Sequence, residues 1–582
     1  MRPMNMKSEN SKTQLLLALM VAVALFLTPA AFAAAPGIMG TTFSLTAQPA
    51  YLNQPDGEAV YSWGYGCAST SGITFVPAAI TNAVCNSMQV PGPTLVVNEN
   101  DVVTVKLTNN LPTPAGNTSI LFPGFKVTAT GGVAGLLTQE AAPGATVTYT
   151  FTASAPGTHP YYSGTQGDLQ VEMGMYGALI VLPAHVPANC TTGEHADEVN
   201  VVKPHWGESD FRLSQAAYDH PASCYDREYL VQWATMDPRI HHQAEAESAD
   251  PARVAACTSS PTAPLCGLDV QTEPYHPSYF VINGRSMPDL MDPNYAAEYP
   301  HQPYNANPHT HPGDLLLIRA IGQGRWQHPF HEHANHVRIL ARDGNLILSS
   351  VVANATGNTI TYGTPGSTPT AGPPLAGLLM FNTDTTPGDA FDGIFYFTGR
   401  GLNWDPYGHH PGDTADPLAS LPCYPDADGY NTGYDAVSGT LTHPEVRLAV
   451  NYFEWCQDHN KPVQVNPFGD VAAGGPVTLP DPNILTNGAW YGGTPYLGPD
   501  ASLRASMPTC VGSPYGTSNP PNAGCTTLLP SNTQANPATE RGWAFMWHSH
   551  NEREITTNNI FPGGMLMMLL VDSREFAIDE GL

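Results

Sequence analysis

Turn residues cut this sequence into short pieces, and that leaves few folds open to it. Strand-like runs of four to seven residues recur at 94–97, 102–107, 146–151, 178–182, 229–233, 279–282, 315–320 and 565–571, each bounded by glycine, proline, asparagine or aspartate. Helical periodicity is scarce. With 54 glycines and 56 prolines among 582 residues, the composition is that of many short strands joined by turns, the pattern of β-sandwiches or barrels. The length is too great for one sandwich. A first domain is expected over 40–185 and a second over 197–406. The stretch 407–540 has another texture, rich in glycine, proline, asparagine and threonine, with four of the ten cysteines and little alternation. It reads as a disulfide-tied insertion, after which the second domain resumes over 541–575; a divergent third domain is the alternative.

The first residues predict export. Arg2, Lys7 and Lys12 precede an apolar run over 15–27, and Ala31-Phe32-Ala33 offers a small-x-small cleavage site. That is the layout of a signal peptide over residues 1–33, and the run is too short to span a bilayer. A periplasmic or secreted location follows. The ten cysteines contain no C-x-x-C spacing, so disulfides are expected in an oxidising compartment. The nearest-neighbour pairs are Cys67/Cys85, Cys190/Cys224, Cys257/Cys266, Cys423/Cys456 and Cys510/Cys525. Fifty acidic against 22 basic side chains give a net charge of −28, which disfavours nucleic acid and anionic membrane surfaces and attracts cations.

Two segments carry the chemistry. One is His328-Pro329-Phe330-His331-Glu332-His333-Ala334-Asn335-His336, the other Trp547-His548-Ser549-His550. Residues two apart on a strand face the same side, so His331 points with His333 and His548 with His550. Were the two strands neighbours, four imidazoles would converge on one pocket. Imidazole suits copper, zinc, iron and nickel alike, so the cluster is a candidate metal site by its chemistry. His309-Thr310-His311 and His241-His242 lie in proline- and acid-rich segments and read as surface decoration. Met567 and Met568 read as core.

The order of motifs resembles the multicopper oxidase superfamily, laccases included. His-Pro-Phe-His-x-His, then far downstream His-x-His, Gly-Gly-Met and an apolar strand, is similar to the family's C-terminal copper signatures. Pro91-Gly92-Pro93-Thr94 with Asn109-Asn110-Leu111-Pro112 looks like the opening of a first cupredoxin domain, and Tyr176-Gly177-Ala178-Leu179 like its last strand. Ile282-Asn283-Gly284-Arg285, Pro312-Gly313-Asp314 and Pro387-Gly388-Asp389 look like parts of a copper-bearing domain. The resemblance implies an all-β fold of tandem cupredoxin-like Greek-key sandwiches carrying the loop-rich insertion, with copper as cofactor.

By that resemblance His328 falls on a type 1 copper position, and His331, His333, His548 and His550 on trinuclear positions. Ser549 stands where the family has its type 1 cysteine, Glu554 where it has a second type 1 histidine, and Met565 at the axial position. In the first domain, Leu121-Phe122-Pro123-Gly124 replaces a His-Trp-His-Gly motif, and the segment His159 to Gln166 replaces His-x-His before Gly-Thr-Gln. His159 is either a stand-in ligand or a surface-loop histidine. Three functions stay open: an oxidoreductase with a reduced, type 1-free copper site acting on a small-molecule reductant, a copper-binding or buffering protein, and a structural protein with a vestigial site. Two-domain members of the family resemble trimers with clusters between subunits, so a homotrimer is the assembly implied.

Overall fold

The computed structural model describes residues 35–191, 210–348, 375–397, 422–448 and 542–572, apart from single positions 312 and 428, together with the short pieces 352–353, 359–360, 455–456, 494–496 and 578. The expected signal peptide, and the pair Cys510/Cys525, lie outside the described residues.

Two five-stranded sheets make the first unit. One runs, in spatial order, Gly157–Tyr162, Tyr176–Leu182, Leu95–Asn98, Gly37–Met39 and Thr74–Val76. The other runs Ala59–Ser69, Thr42–Asn53, Val102–Asn109, Thr146–Thr152 and Thr128–Thr130. The alternation that makes a strand half-buried is plain in Val102–Asn109, where Val103, Val105 and Leu107 enter the core while Val102 and Lys106 face out. Trp63, Tyr149, Phe151, Leu179 and Val181 fill the space between the sheets.

The second unit repeats the plan. A seven-stranded sheet runs Tyr279–Ile282, Arg227–Met236, Leu316–Gly322, Ala390–Phe395, Val337–Arg342 and Asn345–Leu346, with Leu379–Met380 also paired to Val337–Arg342. Facing it, a six-stranded sheet runs His309–Thr310, Leu566–Asp572, Gly542–Ser549, His328–Glu332 and Asn382–Thr385, with Thr494–Tyr496 also paired to Gly542–Ser549. Trp233, Phe280, Phe330, Phe391, Trp547, Met567 and Leu569 form the layer between. The chain is therefore all-β, built of paired sandwiches. Thr494–Tyr496 brings part of the 407–540 stretch onto the edge of the histidine-bearing strand, at the register Thr494↔Ala544.

Among the described residues, the two longest helices that interrupt the β pattern are Pro238–Ser248 and Pro251–Ser259. Each has proline in its first turn and is capped by the aspartate before it, Asp237 and Asp250, whose side chains accept the amide of the residue two ahead. Among the described residues, four disulfides close nearest-neighbour cysteines: Cys67–Cys85, Cys190–Cys224, Cys257–Cys266 and Cys423–Cys456.

Three of the histidines expected on the surface are instead buried. His241 packs under the first unit with its Nδ1 2.6 Å from the Tyr61 carbonyl, while its neighbour His242 is exposed beside Glu58. His309 and His311 are enclosed, the first because its short strand pairs with the core strand Leu566–Asp572. Met567 is buried as expected.

A buried ionic cluster ties the units together. Arg319 Nε donates to Glu228 at 2.8 Å, and its Nη1 lies 3.6 Å from Asp392 and 3.1 Å from Thr158 Oγ1. Thr158, on the first unit's Gly157–Tyr162 strand, donates to Asp392 at 2.6 Å, and Tyr218 donates to the same carboxylate. Removing the guanidinium would leave two carboxylates in a dry interface without their counter-ion, a loss of about 3–5 kcal/mol. Arg319→Ala should therefore lower the unfolding free energy in urea by about that amount. A loss under about 1 kcal/mol, the scale of an exposed pair, would show that the cluster does not pin the interface.

Candidate metal centre

The strands His328–Glu332 and Gly542–Ser549 are antiparallel neighbours in the register Phe330↔Ser549, His331↔His548 and Glu332↔Trp547. This register sorts their side chains. Phe330, Glu332, Trp547 and Ser549 face the sandwich interior, and His331 and His548 face the other way. Beyond the strand end, Ala334 takes a left-handed conformation (φ 80°), and Trp547 Nε1 holds the His333 carbonyl at 3.1 Å. His333 lies on the face of His331 and His548.

The three imidazoles meet there. Ligand nitrogens of His331, His333 and His548 all lie within 4.8 Å of one another, and all three side chains are buried. The Nε2 atoms of His333 and His548 are 3.2 Å apart. A first-row ion with metal–nitrogen bonds of about 2.0 Å holds its ligand atoms about 3–4 Å apart, so a small contraction would suffice. Two of the rings are oriented from behind: His331 Nδ1 lies 2.6 Å from the Phe381 carbonyl, and His548 Nδ1 2.7 Å from the Ser549 carbonyl. A carbonyl only accepts, so each Nδ1 carries the proton and each Nε2 presents a lone pair. Burial lowers the pKa of His331 to about 4, helped by the neighbouring His548 and His550, and burial likewise lowers that of His548. Both rings are neutral near neutrality, the form that binds metal. His550 stands on the exposed side of the group, its ring centroid 4.8 Å from that of His331 and its Nδ1 3.8 Å from Glu552.

His328, Glu554 and Met565 lie on the opposite, inward face. His328 Nδ1 is 2.8 Å from Glu554 Oε2, Ser549 Oγ donates to the same oxygen at 2.5 Å, and Asn551 Nδ2 donates to Oε1 at 2.9 Å. Both carboxylate oxygens are occupied. The turn closes through backbone bonds from Met565 to Glu554 and from Ser549 to Met565, and the Met565 side chain is buried in the core. Glu332 shares this inward face. It is fully buried, not solvated, and with neither oxygen hydrogen-bonded among the described residues, burial raises its pKa well above the carboxylate range.

His159 is not brought to either group. Its Nε2 is 3.0 Å from the Ala155 carbonyl, its ring lies edge-on to Phe125, and it packs on Gly344. It is a buried histidine at the contact between the units. Sequence reasoning missed Phe381 and Asn551. A backbone carbonyl such as that of Phe381, 50 positions from His331, leaves no mark in side-chain patterns. Asn551, immediately after an H-x-H, was in principle visible.

A multicopper oxidase family model matches residues 72–185. Laccase-1 of Emericella nidulans is 37% identical over 123 residues, 21% of this chain and 18% of that protein. The L-ascorbate oxidase of Brassica rapa subsp. pekinensis is 38% identical over 96 residues, 16% of each chain. A copper-containing nitrite reductase of Alcaligenes xylosoxydans is 35% identical over 140 residues, 23% of this chain and 40% of that one. The match thus spans less than half the length of each of these relatives. Among solved structures, a blue copper oxidase from Nitrosomonas europaea aligns over 91% of this chain and 85% of its own, at 14% identity and a TM-score of 0.39. With the family match over residues 72–185 and laccase and ascorbate oxidase among its relatives, the first sandwich of the chain is similar to the multicopper oxidases.

Proposed function

We propose that this chain is an exported copper protein of the oxidoreductase class, whose copper is held by His331, His333 and His548, with His550 at the open side, and which lacks a type 1 site. The observation that carries this is the convergence of three buried imidazoles within 4.8 Å, two of them fixed with Nε2 forward. Imidazole, a borderline donor, suits copper, and when bound there copper would supply one-electron exchange between its cupric and cuprous states. The protein's own residues do the rest. The Phe381 and Ser549 carbonyls orient the rings, burial keeps them neutral, and the half-exposed His550 leaves an approach from solvent.

The absence of a type 1 site rests on the inward face. Ser549 offers a hydroxyl where a blue site requires a soft thiolate, and Glu554 is saturated by donors from the protein itself. Among the described residues every cysteine is in a disulfide. This same closure favours a second reading, copper binding without turnover, because no thiolate is there to conduct electrons away. Oxygen uptake with a small-molecule reductant separates the two. Export by cleavage after residue 33 and assembly as a homotrimer belong to the proposal; the N-terminal sequence and solution mass of the native protein test them.

Calorimetric titration of metal-free protein with cupric ion should show a site that His331→Ala with His548→Ala weakens by about a hundredfold or more. Equal affinity in wild type and double variant would sink the assignment. The copper-loaded protein should be nearly colourless, with the electron-spin spectrum of ordinary tetragonal copper; an intense blue band would place a cysteine sulfur on the metal. The metal-free protein should lose stability as pH falls from about 6.5 toward about 4, because over that window the unfolded chain takes up protons that folded His331 refuses. Denaturation midpoints across the window should slope less in His331→Ala, and identical slopes would contradict the inverted proton balance.

A further inference from the structure

The first unit contains a cavity of about 830 Å³ that the metal centre does not use. Its walls come from 115–117, the 133–140 hairpin and the segment 162–168, and second-unit residues Gln323, Gly324, Pro387 and Gly388 close one side. No histidine or cysteine lines it. The segments that by resemblance would carry first-domain histidines supply Leu121, Tyr162 and Gly164 instead. Leu121 packs so closely on Gly164 that a Cβ there would lie 2.8 Å from Leu121 Cγ, which makes this part of the wall apolar and continuous.

We propose that this cavity binds a small organic molecule with an apolar body and a neutral or cationic polar end. Its size falls within the range of ligand clefts, about 300–1,000 Å³. At the lip, the neighbouring Leu136 and Leu137 are 92% and 65% exposed, apolar surface that an occupant would remove from water. The charged lining residues are Glu140 and Asp168, both acidic. Glu140 is buried and set in place by Asn117 at 3.0 Å and Thr165 at 2.9 Å. With no lysine, arginine or histidine in the lining and a chain charge of −28, an anion meets repulsion without a partner, whereas a hydroxyl or an ammonium finds acceptors. The site is independent of copper, since neither His331, His333 nor His548 lines it.

A charge series on one ring system tests this: 1-naphthalenemethanol, 1-naphthylmethylamine and 1-naphthoate, titrated calorimetrically into the full-length metal-free protein. The alcohol and the amine should bind at one site per chain, and the carboxylate at least about tenfold more weakly. Gly167 lines the cavity, and a Cβ added to it would meet no atom within 4 Å. Gly167→Trp should therefore fill the mouth without disturbing the backbone and weaken both ligands by about tenfold or more. Leu136→Ser with Leu137→Ser, at the exposed hairpin tip, should weaken them severalfold, while His331→Ala should leave them unchanged. Equal binding of all three probes, no binding, or indifference to both the tryptophan and the serine variants in folded protein would overturn the proposal.

Discussion

The pairing of Phe330 with Ser549 and of His331 with His548 is the contact on which the metal centre depends. On a strand, a slip of one residue exchanges every inward side chain for an outward one. Here that exchange would expel Phe330 and Trp547 from the core, each worth about 2–3 kcal/mol when buried, and would put imidazoles in their place. Hydrophobic packing therefore sets the register, and the register sets the ligand geometry. Trp547 acts twice, filling the core with its ring and holding the His333 carbonyl with its indole N–H. The centre does not need a metal to be assembled, because its geometry is a by-product of a core that would form anyway.

The inward face of the same two strands follows the opposite logic. His328, Ser549 and Asn551 converge on one carboxylate, Glu554, and both of its oxygens are used. A buried carboxylate is tolerable only when so satisfied, whereas the buried His328 Nε2 of the same group has no hydrogen-bond partner among the described residues. Glu332 supplies the contrast. It is as deeply buried but without hydrogen bonds to its oxygens among the described residues, so it escapes the cost of a buried charge by holding its proton, as the direction of its pKa shift states. One pair of strands thus presents lone pairs outward and a hydrogen-bonded carboxylate inward.

Much of this was legible in the sequence because strands have a period of two. His331 and His333 share a face for that reason, and the strand runs at 102–107, 146–151 and 279–282 fall on observed strands. The four disulfides join neighbours because loops of 9 to 34 residues close at modest entropic cost. What was not legible is what depends on distant parts of the chain. His241, His309 and His311 sit in polar sequence, and only tertiary packing buries them. The helices Pro238–Ser248 and Pro251–Ser259 are short and weakly amphipathic, and their one clear signal was the Asp-Pro pair that opens each. The carbonyl behind His331 and the walls of the first-unit cavity have no local signature at all.

The two units divide their chemistry along the same line. The first-unit segments that resemble copper-binding ones present Leu121, Tyr162 and Gly164, side chains with no soft or imidazole donor, around open space. The donors of the second unit all come from one strand pair and its ends. Nitrogens confined within 4.8 Å of one another can all reach one ion position. Under the proposed function, the loss of imidazoles from the first unit and the hydrogen-bonded state of both Glu554 oxygens leave His331, His333 and His548 as the copper centre. Its reactivity would be set by what reaches it past His550, since among the described residues no thiolate conducts electrons to it.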